Sequence, residues 1–196
     1  MKKKIFVMSK VPFRGIIKTR LSKEIGFTKS KRLTINNLEK IKKIFLSKKS
    51  EYFLYWYLTP FHKFRTFSFS ISKFCLPQSK GNLGEKMWNL ASKNSSPFLI
   101  IGSDIPNINL NSISYAFKKL KTNDIVLGPT YDGGFWLIGF SCKRKIIFPF
   151  KNVKWSSKNT LTDLTTNLKY YSIKHAFTKK LRDIDNKADY CQNIKD

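Results

Sequence analysis

Apolar positions along this chain fall into short blocks separated by polar turns, and two spacings alternate. Ile5 to Met8 is a four-residue apolar run, the pattern of a buried strand. Between Ser30 and Ser47, Leu33, Ile35, Leu38, Ile41, Ile44 and Phe45 recur at helical spacing. Glu51 to Leu58 is aromatic and apolar, reads as a strand and closes at Thr59-Pro60. Phe64 to Ile71 alternates more weakly and is expected to be another strand. Leu83 to Ala91 predicts a helix with Met87, Leu90 and Ala91 turned inward. Phe98 to Ile101 is again continuously apolar and runs into Gly102, Ser103 and Asp104. Asn111 to Leu120 predicts a helix with Ser112 as its cap. Asp124 to Pro129 and Gly134 to Phe140 predict strands on either side of an Asp-Gly turn, and Ser156 to Leu168 a helix. Ile173 onward is strand-like, and a short helix is expected after Asn186. Ser9 to Leu21 and Pro77 to Gly84 read as loops, because glycine, proline and charge break both spacings.

Strands that alternate with helices predict an α/β fold: one three-layer domain over residues 1–196, with a mostly parallel central sheet. In such sheets ligands bind beyond the carboxyl ends of the strands. Asp104 stands at such an end, with two readings: a turn cap before Pro106, or an anchor for a divalent cation.

Charge changes the picture in one respect. The formal net charge is +26, with 38 Lys+Arg against 12 Asp+Glu. Anionic partners account for such an excess, and so does a drift toward residues with AT-rich codons, because Lys, Asn, Ile and Phe are all abundant. The lysines are spread along the chain, and no homeodomain, zinc-finger or RNP-like motif accompanies them, which argues against a nucleic-acid-binding protein. Against this background the few acids stand out, and none of the aspartates precedes Asp104. Cys75, Cys142 and Cys191 are odd in number and form no C-x-x-C pair, so a reducing compartment is expected. The run after the basic N-terminus is too short for a signal peptide, and nothing approaches the ~18 apolar residues of a membrane span, so a cytoplasmic protein is expected.

Four constellations offer chemistry. Lys10 to Arg20 follows the first strand; Gly15 permits close backbone approach, and Arg14, Lys18 and Arg20 supply cations that suit phosphates. Its spacing is not that of a Walker A loop, and a solvated surface loop is the competing reading. Gln78 to Met87 carries Gly81 and Gly84 ahead of a helix; it suits either a loop beneath a nucleotide base, with Gln78 at its edge, or an ordinary helix start. Tyr131, Asp132, Gly133 and Gly134 form the turn between two strands and also an open polar wall that suits an acceptor. Asp183 and Asp185 lie two apart and share a face if extended, so one of them could complete a metal site with Asp104; a helix cap at Asp185 or Asn186 competes.

The order of these motifs resembles a family of small bacterial transferases of the GT-A fold, labelled glycosyltransferases. The resemblance rests on Lys10 to Leu21, Gln78 to Met87, Gly102 to Pro106, Asp124 to Gly139, Trp155-Ser-Ser157 and Asp183 to Asp189. Asn82, Phe135, Asn107, Asn186 and Ser157 stand where the pattern carries Asp, Tyr, Asp, Thr and Thr. The resemblance implies a nucleotide-diphospho-sugar transferase fold, related to the molybdenum-cofactor and phospholactate guanylyltransferases. It implies phosphate contacts at Arg14, Gly15, Lys18 and Arg20, with Gln78 and Gly81 beside the nucleotide. Asp104 becomes the main ligand of Mg2+ or Mn2+, with Asp185 second and Asp183 in reserve. Tyr131, Gly133 and Gly134 border a small-molecule acceptor, whose hydroxyl Asp132 would deprotonate. The expected function is metal-dependent transfer from a nucleotide-activated donor: glycosyl transfer to a small-molecule acceptor or, alternatively, nucleotidyl transfer to a small phosphate or acid acceptor with release of pyrophosphate, Lys18 standing at the α-phosphoryl group.

Overall fold

The computed structural model describes residues 3–12, 18–45, 51–62 and 74–195. The expected strand at 64–71 lies outside these residues, as do Arg14 and Gly15. In chain order the elements are β1 (Lys3–Lys10), α1 (Thr19–Ile25), α2 (Phe27–Phe45), β2 (Tyr52–Thr59), β3 (Cys75–Pro77), α3 (Leu83–Lys93) and β4 (Phe98–Gly102). Then come α4 (Leu110–Lys119), β5 (Ile125–Pro129), β6 (Phe135–Phe140), α5 (Thr160–Tyr170), β7 (His175–Phe177) and α6 (Lys187–Lys195).

The strands form one sheet in the order β3-β2-β1-β4-β6-β5-β7. β1 pairs in parallel with β2 and β4, β2 with β3, and β5 with β7. Among the described strands β6 alone runs antiparallel, against both β4 and β5. Its reversal follows from the short connection after β5, since antiparallel neighbours can be joined by a tight turn and parallel ones cannot. Residues 130–134 therefore form a hairpin at the carboxyl edge, as the Asp-Gly turn predicts.

The mostly parallel sheet is covered on both faces, which explains the continuously apolar strands. On one face Ile5, Val7, Leu99 and Ile101 pack with Leu38 and Ile41 of α2 and Ile113 and Phe117 of α4. On the other, Phe6, Phe98, Ile100 and Ile138 pack with Met87 and Leu90 of α3 and Leu164 and Leu168 of α5. Each fully buried side chain of this size contributes about 1.5–3 kcal/mol. Strand β4 sends alternate residues into both clusters, so the chain leaves Gly102 with its direction held from two sides.

Three local expectations differ from the structure. Thr19 to Leu21, expected in a loop, belong to α1, a seven-residue helix whose buried anchor is Leu21. The cap of α4 is Asn109, which accepts from the Ser112 amide at 2.9 Å, so Ser112 is the capped residue and not the cap. Strand β3 is too short for an apolar pattern to announce it and forms by pairing with β2. Among the described residues no helix is long and apolar enough to cross a membrane.

Candidate active site

Four of the chain's few carboxylates meet where β4 and β5 end. Asp104 follows β4, and Ile184 donates a main-chain hydrogen bond to its carbonyl at 3.3 Å. The segment bearing Asp183 and Asp185 is aligned along β5 as well: Leu181 bridges Thr130 in parallel, and its amide donates to the Pro129 carbonyl at 3.0 Å. The indole of Trp136, buried in β6, donates to the Lys179 carbonyl at 3.1 Å and fixes the segment from below. These bonds hold Asp183 and Asp185 against the hairpin that carries Asp132.

Carboxylate oxygens of Asp132, Asp183 and Asp185 all lie within 4.8 Å of one another. Asp104 is outside this trio, yet its charge reaches both Asp183 and Asp185. Burial, and then repulsion from Asp132, Asp104 and Asp185, push the Asp183 carboxyl up to about 7. Asp185 is also raised, by burial first and then by Asp104, while Lys18 acts in the opposite sense. Crowded oxygen donors of one sign are the set that a hard divalent cation takes, so these residues fit Mg2+ or Mn2+.

Asp132 is oriented by its own hairpin. Its Oδ1 accepts from the Thr130 hydroxyl at 2.5 Å and from the Gly134 amide at 3.0 Å. Thr130, 4% exposed, is a positioning residue that sequence reasoning missed; nothing in its pattern separates it from any strand-end threonine. Gly133 has φ +89, and a Cβ there would lie 2.1 Å from the Lys158 carbonyl oxygen. The same glycine accepts the Leu161 amide at 2.9 Å, so the hairpin is locked to the start of α5. Gly102 lets the Asp104 side chain fold back over the strand end, since a Cβ would meet its Oδ1 at 2.8 Å.

Lys18 reaches this cluster from the other side. Its backbone is left-handed, at φ 27, and its side chain is largely buried. Nζ donates to the Ile184 carbonyl and lies 3.7 Å from Asp185 Oδ1. Arg20 is exposed in the first turn of α1.

Gln78 and Gly81 sit on the loop before α3. The Gln78 amide nitrogen donates to the carbonyls of Tyr57, at 2.9 Å, and Ser9, at 3.2 Å, so this side chain ties the loop to the ends of β2 and β1. Gly81 occupies the exposed turn ahead of the helix. Asn82 and Glu85 form a reciprocal capping box, with Asn82 Oδ1 accepting from the Glu85 amide at 3.0 Å and the Asn82 amide donating to Glu85 Oε2 at 2.7 Å. Asn and Asp cap equally well, so the Asn at position 82 keeps the local structure. Asn186 caps α6 by accepting from the Asp189 amide at 2.9 Å, and Asp185 belongs to the trio.

A cavity of about 410 Å3 opens at the opposite edge of the sheet, beside Lys3, Pro97 and Ser141. Its lining includes Asp124 and none of these four carboxylates, so this cavity and the candidate chemistry lie at different ends of the molecule.

The sheet order, the reversed strand β6 and the acids beyond the carboxyl ends define an α/β fold of the nucleotide-diphospho-sugar transferase, or GT-A, type. The chain belongs to the DUF2064 family, described as an uncharacterized protein conserved in bacteria, whose model matches residues 53–157. A crystal structure from Desulfovibrio desulfuricans G20, provisionally described as a nucleotide-diphospho-sugar transferase, superposes with a TM-score of 0.82 at 22% identity, covering 95% of this chain and 84% of that one. CMP:2-keto-3-deoxy-manno-octonic acid synthetase complexed with CTP gives 0.58 at 8% identity, over 100% of this chain and 97% of its own. The inositol-1-phosphate CTP transferase from T. maritima gives 0.54 at 12% identity, over 96% and 91%. At these identities the likeness is one of fold. No curated protein matches the sequence.

Proposed function

We propose that this protein is a metal-dependent transferase that takes a nucleotide-activated donor and passes its activated group to a small-molecule acceptor. The observation that carries this reading is the convergence of Asp104, Asp132, Asp183 and Asp185 at one strand edge of a chain with net charge +26. Clustering like charges costs free energy that the fold alone does not return. Asp132, Asp183 and Asp185 would hold Mg2+ or Mn2+, with Asp104 beside them; the cation would offset charge on the donor phosphates. In this reading Asp132, turned into the trio by Thr130 and Gly134, serves as a ligand; as the general base also expected of it, it would instead take the proton of the acceptor hydroxyl. Lys18, already within reach of the cluster, would bind the phosphate that leaves. Arg20, and Arg14 and Gly15 outside the described residues, extend that phosphate side.

The donor is a nucleotide sugar in our first reading, supported by the description of the D. desulfuricans protein and its TM-score of 0.82. In that reaction the acceptor oxygen bonds to the sugar carbon, and the nucleoside diphosphate leaves. Nucleotidyl transfer is the second reading, supported by the CTP-using neighbours and by the place of Lys18. There the acceptor oxygen bonds to the α-phosphorus and pyrophosphate leaves.

A thermal-shift panel of nucleoside triphosphates and nucleotide sugars, each with Mg2+ or Mn2+, tests the proposal. A true donor at a hundredfold excess over its Kd should add about 2.7 kcal/mol of stability. Asp104→Asn and Asp185→Asn should remove the metal-dependent part of the shift. If no nucleotide moves the transition while RNA or DNA binds tightly at physiological salt, the transferase reading is wrong.

A further inference from the structure

Tyr131 is 58% exposed, yet its ring is flanked by two cations. The Lys180 Nζ lies 4.6 Å from the ring centroid and the Arg182 guanidinium carbon 4.8 Å. Gathering two like charges at one exposed ring is unfavourable unless negative charge balances them, and each cation–π contact returns only about 0.5–1 kcal/mol at an exposed site. Among the described residues Arg182 pairs with Asp189, whose Oδ1 stands 3.7 Å from its Nη1 and whose Oδ2 accepts from the Asp185 amide, while Lys180 makes no ion pair. Lys18, on the other side, is the cation that acts on Asp185.

The platform is built into the same two segments as the acidic trio. Tyr131 immediately precedes Asp132, and Arg182 immediately precedes Asp183. The Thr130–Leu181 bridge holds the two segments side by side, and Leu181 is buried between the exposed Lys180 and the half-buried Arg182. A ligand seated on the ring therefore has its remaining atoms beside the trio, on the hairpin side and away from Lys18. A neutral acceptor would gain nothing from two cations there. An anionic one would gain two charge-assisted hydrogen bonds, which are about twice as strong as neutral ones.

We infer that the acceptor carries an anionic group, a phosphate monoester or a carboxylate, and that Lys180 and Arg182 on the Tyr131 ring bind it. The inference rests on the transferase reading and deepens it by naming the acceptor's chemical class. An acid or phosphate acceptor was expected only for nucleotidyl transfer, and the sequence offered no signal for the platform: Lys180 and Arg182 are two cations among 38, and the bridge to Thr130 brings them to Tyr131.

The test uses three matched probes, glycerol, glycerate and glycerol 3-phosphate, titrated into the full-length protein saturated with Mg2+ and its best nucleotide. Ligand-observed NMR should show one or both anionic probes binding at least tenfold tighter than glycerol, and the stronger of the two identifies carboxylate or phosphate. Lys180→Ala and Arg182→Ala should each reduce that preference several-fold, and the double variant should abolish it, while nucleotide affinity stays within twofold. Equal binding of all three probes overturns the inference and leaves the transferase reading standing. So does a preference that survives in the double variant, or a loss of nucleotide affinity there, which would assign the platform to the donor. If no nucleotide binds the wild-type protein, the transferase reading falls and the inference falls with it.

Discussion

Two loops of this protein look alike in sequence and do different work. Gln78 to Gly84 and Thr130 to Gly134 each follow a strand, carry two glycines, and hold amide or carboxylate side chains. In the first, the side-chain polar groups close on the backbone: Gln78 bonds to the carbonyls of Ser9 and Tyr57, and the exposed Asn82 and Glu85 satisfy each other's backbone amides. In the second, Asp132 uses Oδ1 for its hairpin and still shares space with Asp183 and Asp185. A loop whose hydrogen bonds close on themselves stabilises a helix start. One that leaves charge unbalanced next to other charge is the candidate ligand site, as proposed above.

That contrast breaks most sharply if substitutions in the second loop fail to affect binding. Asp132→Asn should lower metal-dependent turnover by two orders of magnitude or more, with a melting temperature no lower than wild type; a loss under threefold would mean that Asp132 only shapes its hairpin. Gly133→Ala comes next. Its left-handed backbone and the contact with Lys158 predict a loss of about 1–3 kcal/mol, read as a lower denaturation midpoint. In the first loop, Asn82→Ala should cost about 1 kcal/mol and leave nucleotide affinity unchanged, while Asn82→Asp should keep stability. A change in nucleotide affinity with Asn82→Ala would erase the distinction between the loops.

The smallest expected effect sharpens the comparison through pH. The Asp183 carboxyl is raised to about 7 in the folded protein from an ordinary value near 3.8. The folded state therefore holds a proton that the unfolded chain releases, so this group's stabilisation is complete below about pH 4 and is lost as pH rises through 7. Discounted for solvent screening, the loss is on the order of 1 kcal/mol, or about 2–4 °C. Asp183→Asn should flatten the melting temperature between pH 5 and 8. Mg2+ should raise it more at pH 8 than at pH 5. A wild-type profile already flat across that range would show that the trio is not electrostatically crowded.

Much of the architecture could be read from spacing, because burial on two faces imposes long apolar runs. Phe98 to Ile101 could only be a covered strand, and the periodic helices α2, α3 and α4 lie where their apolar faces place them, within a few residues. Helix α1 was not legible: it is two turns long, has no acid in its first turn and receives no side-chain cap bond. Of the site, Asp104, Asp183 and Asp185 were visible as acids at strand ends, because acids are rare in this chain. The direction of the Asp132 side chain was not, since it depends on Thr130, and the cations over Tyr131 depend on a pairing between residues some fifty apart. Chain spacing carries no information about either.

The frame beneath the acidic cluster is largely main chain. Leu181 bonds to the Pro129 carbonyl, Ile184 to the Asp104 carbonyl and Leu161 to the Gly133 carbonyl, all through backbone amides. Backbone bonds do not depend on which side chains surround them. A genome drifting toward lysine, asparagine, isoleucine and phenylalanine can rewrite most exposed positions here and still return the same four carboxylates to the same place. In design terms, the scaffold tolerates recoding: its surface can be recharged toward neutrality for handling or crystallisation without re-engineering the geometry that the aspartates require.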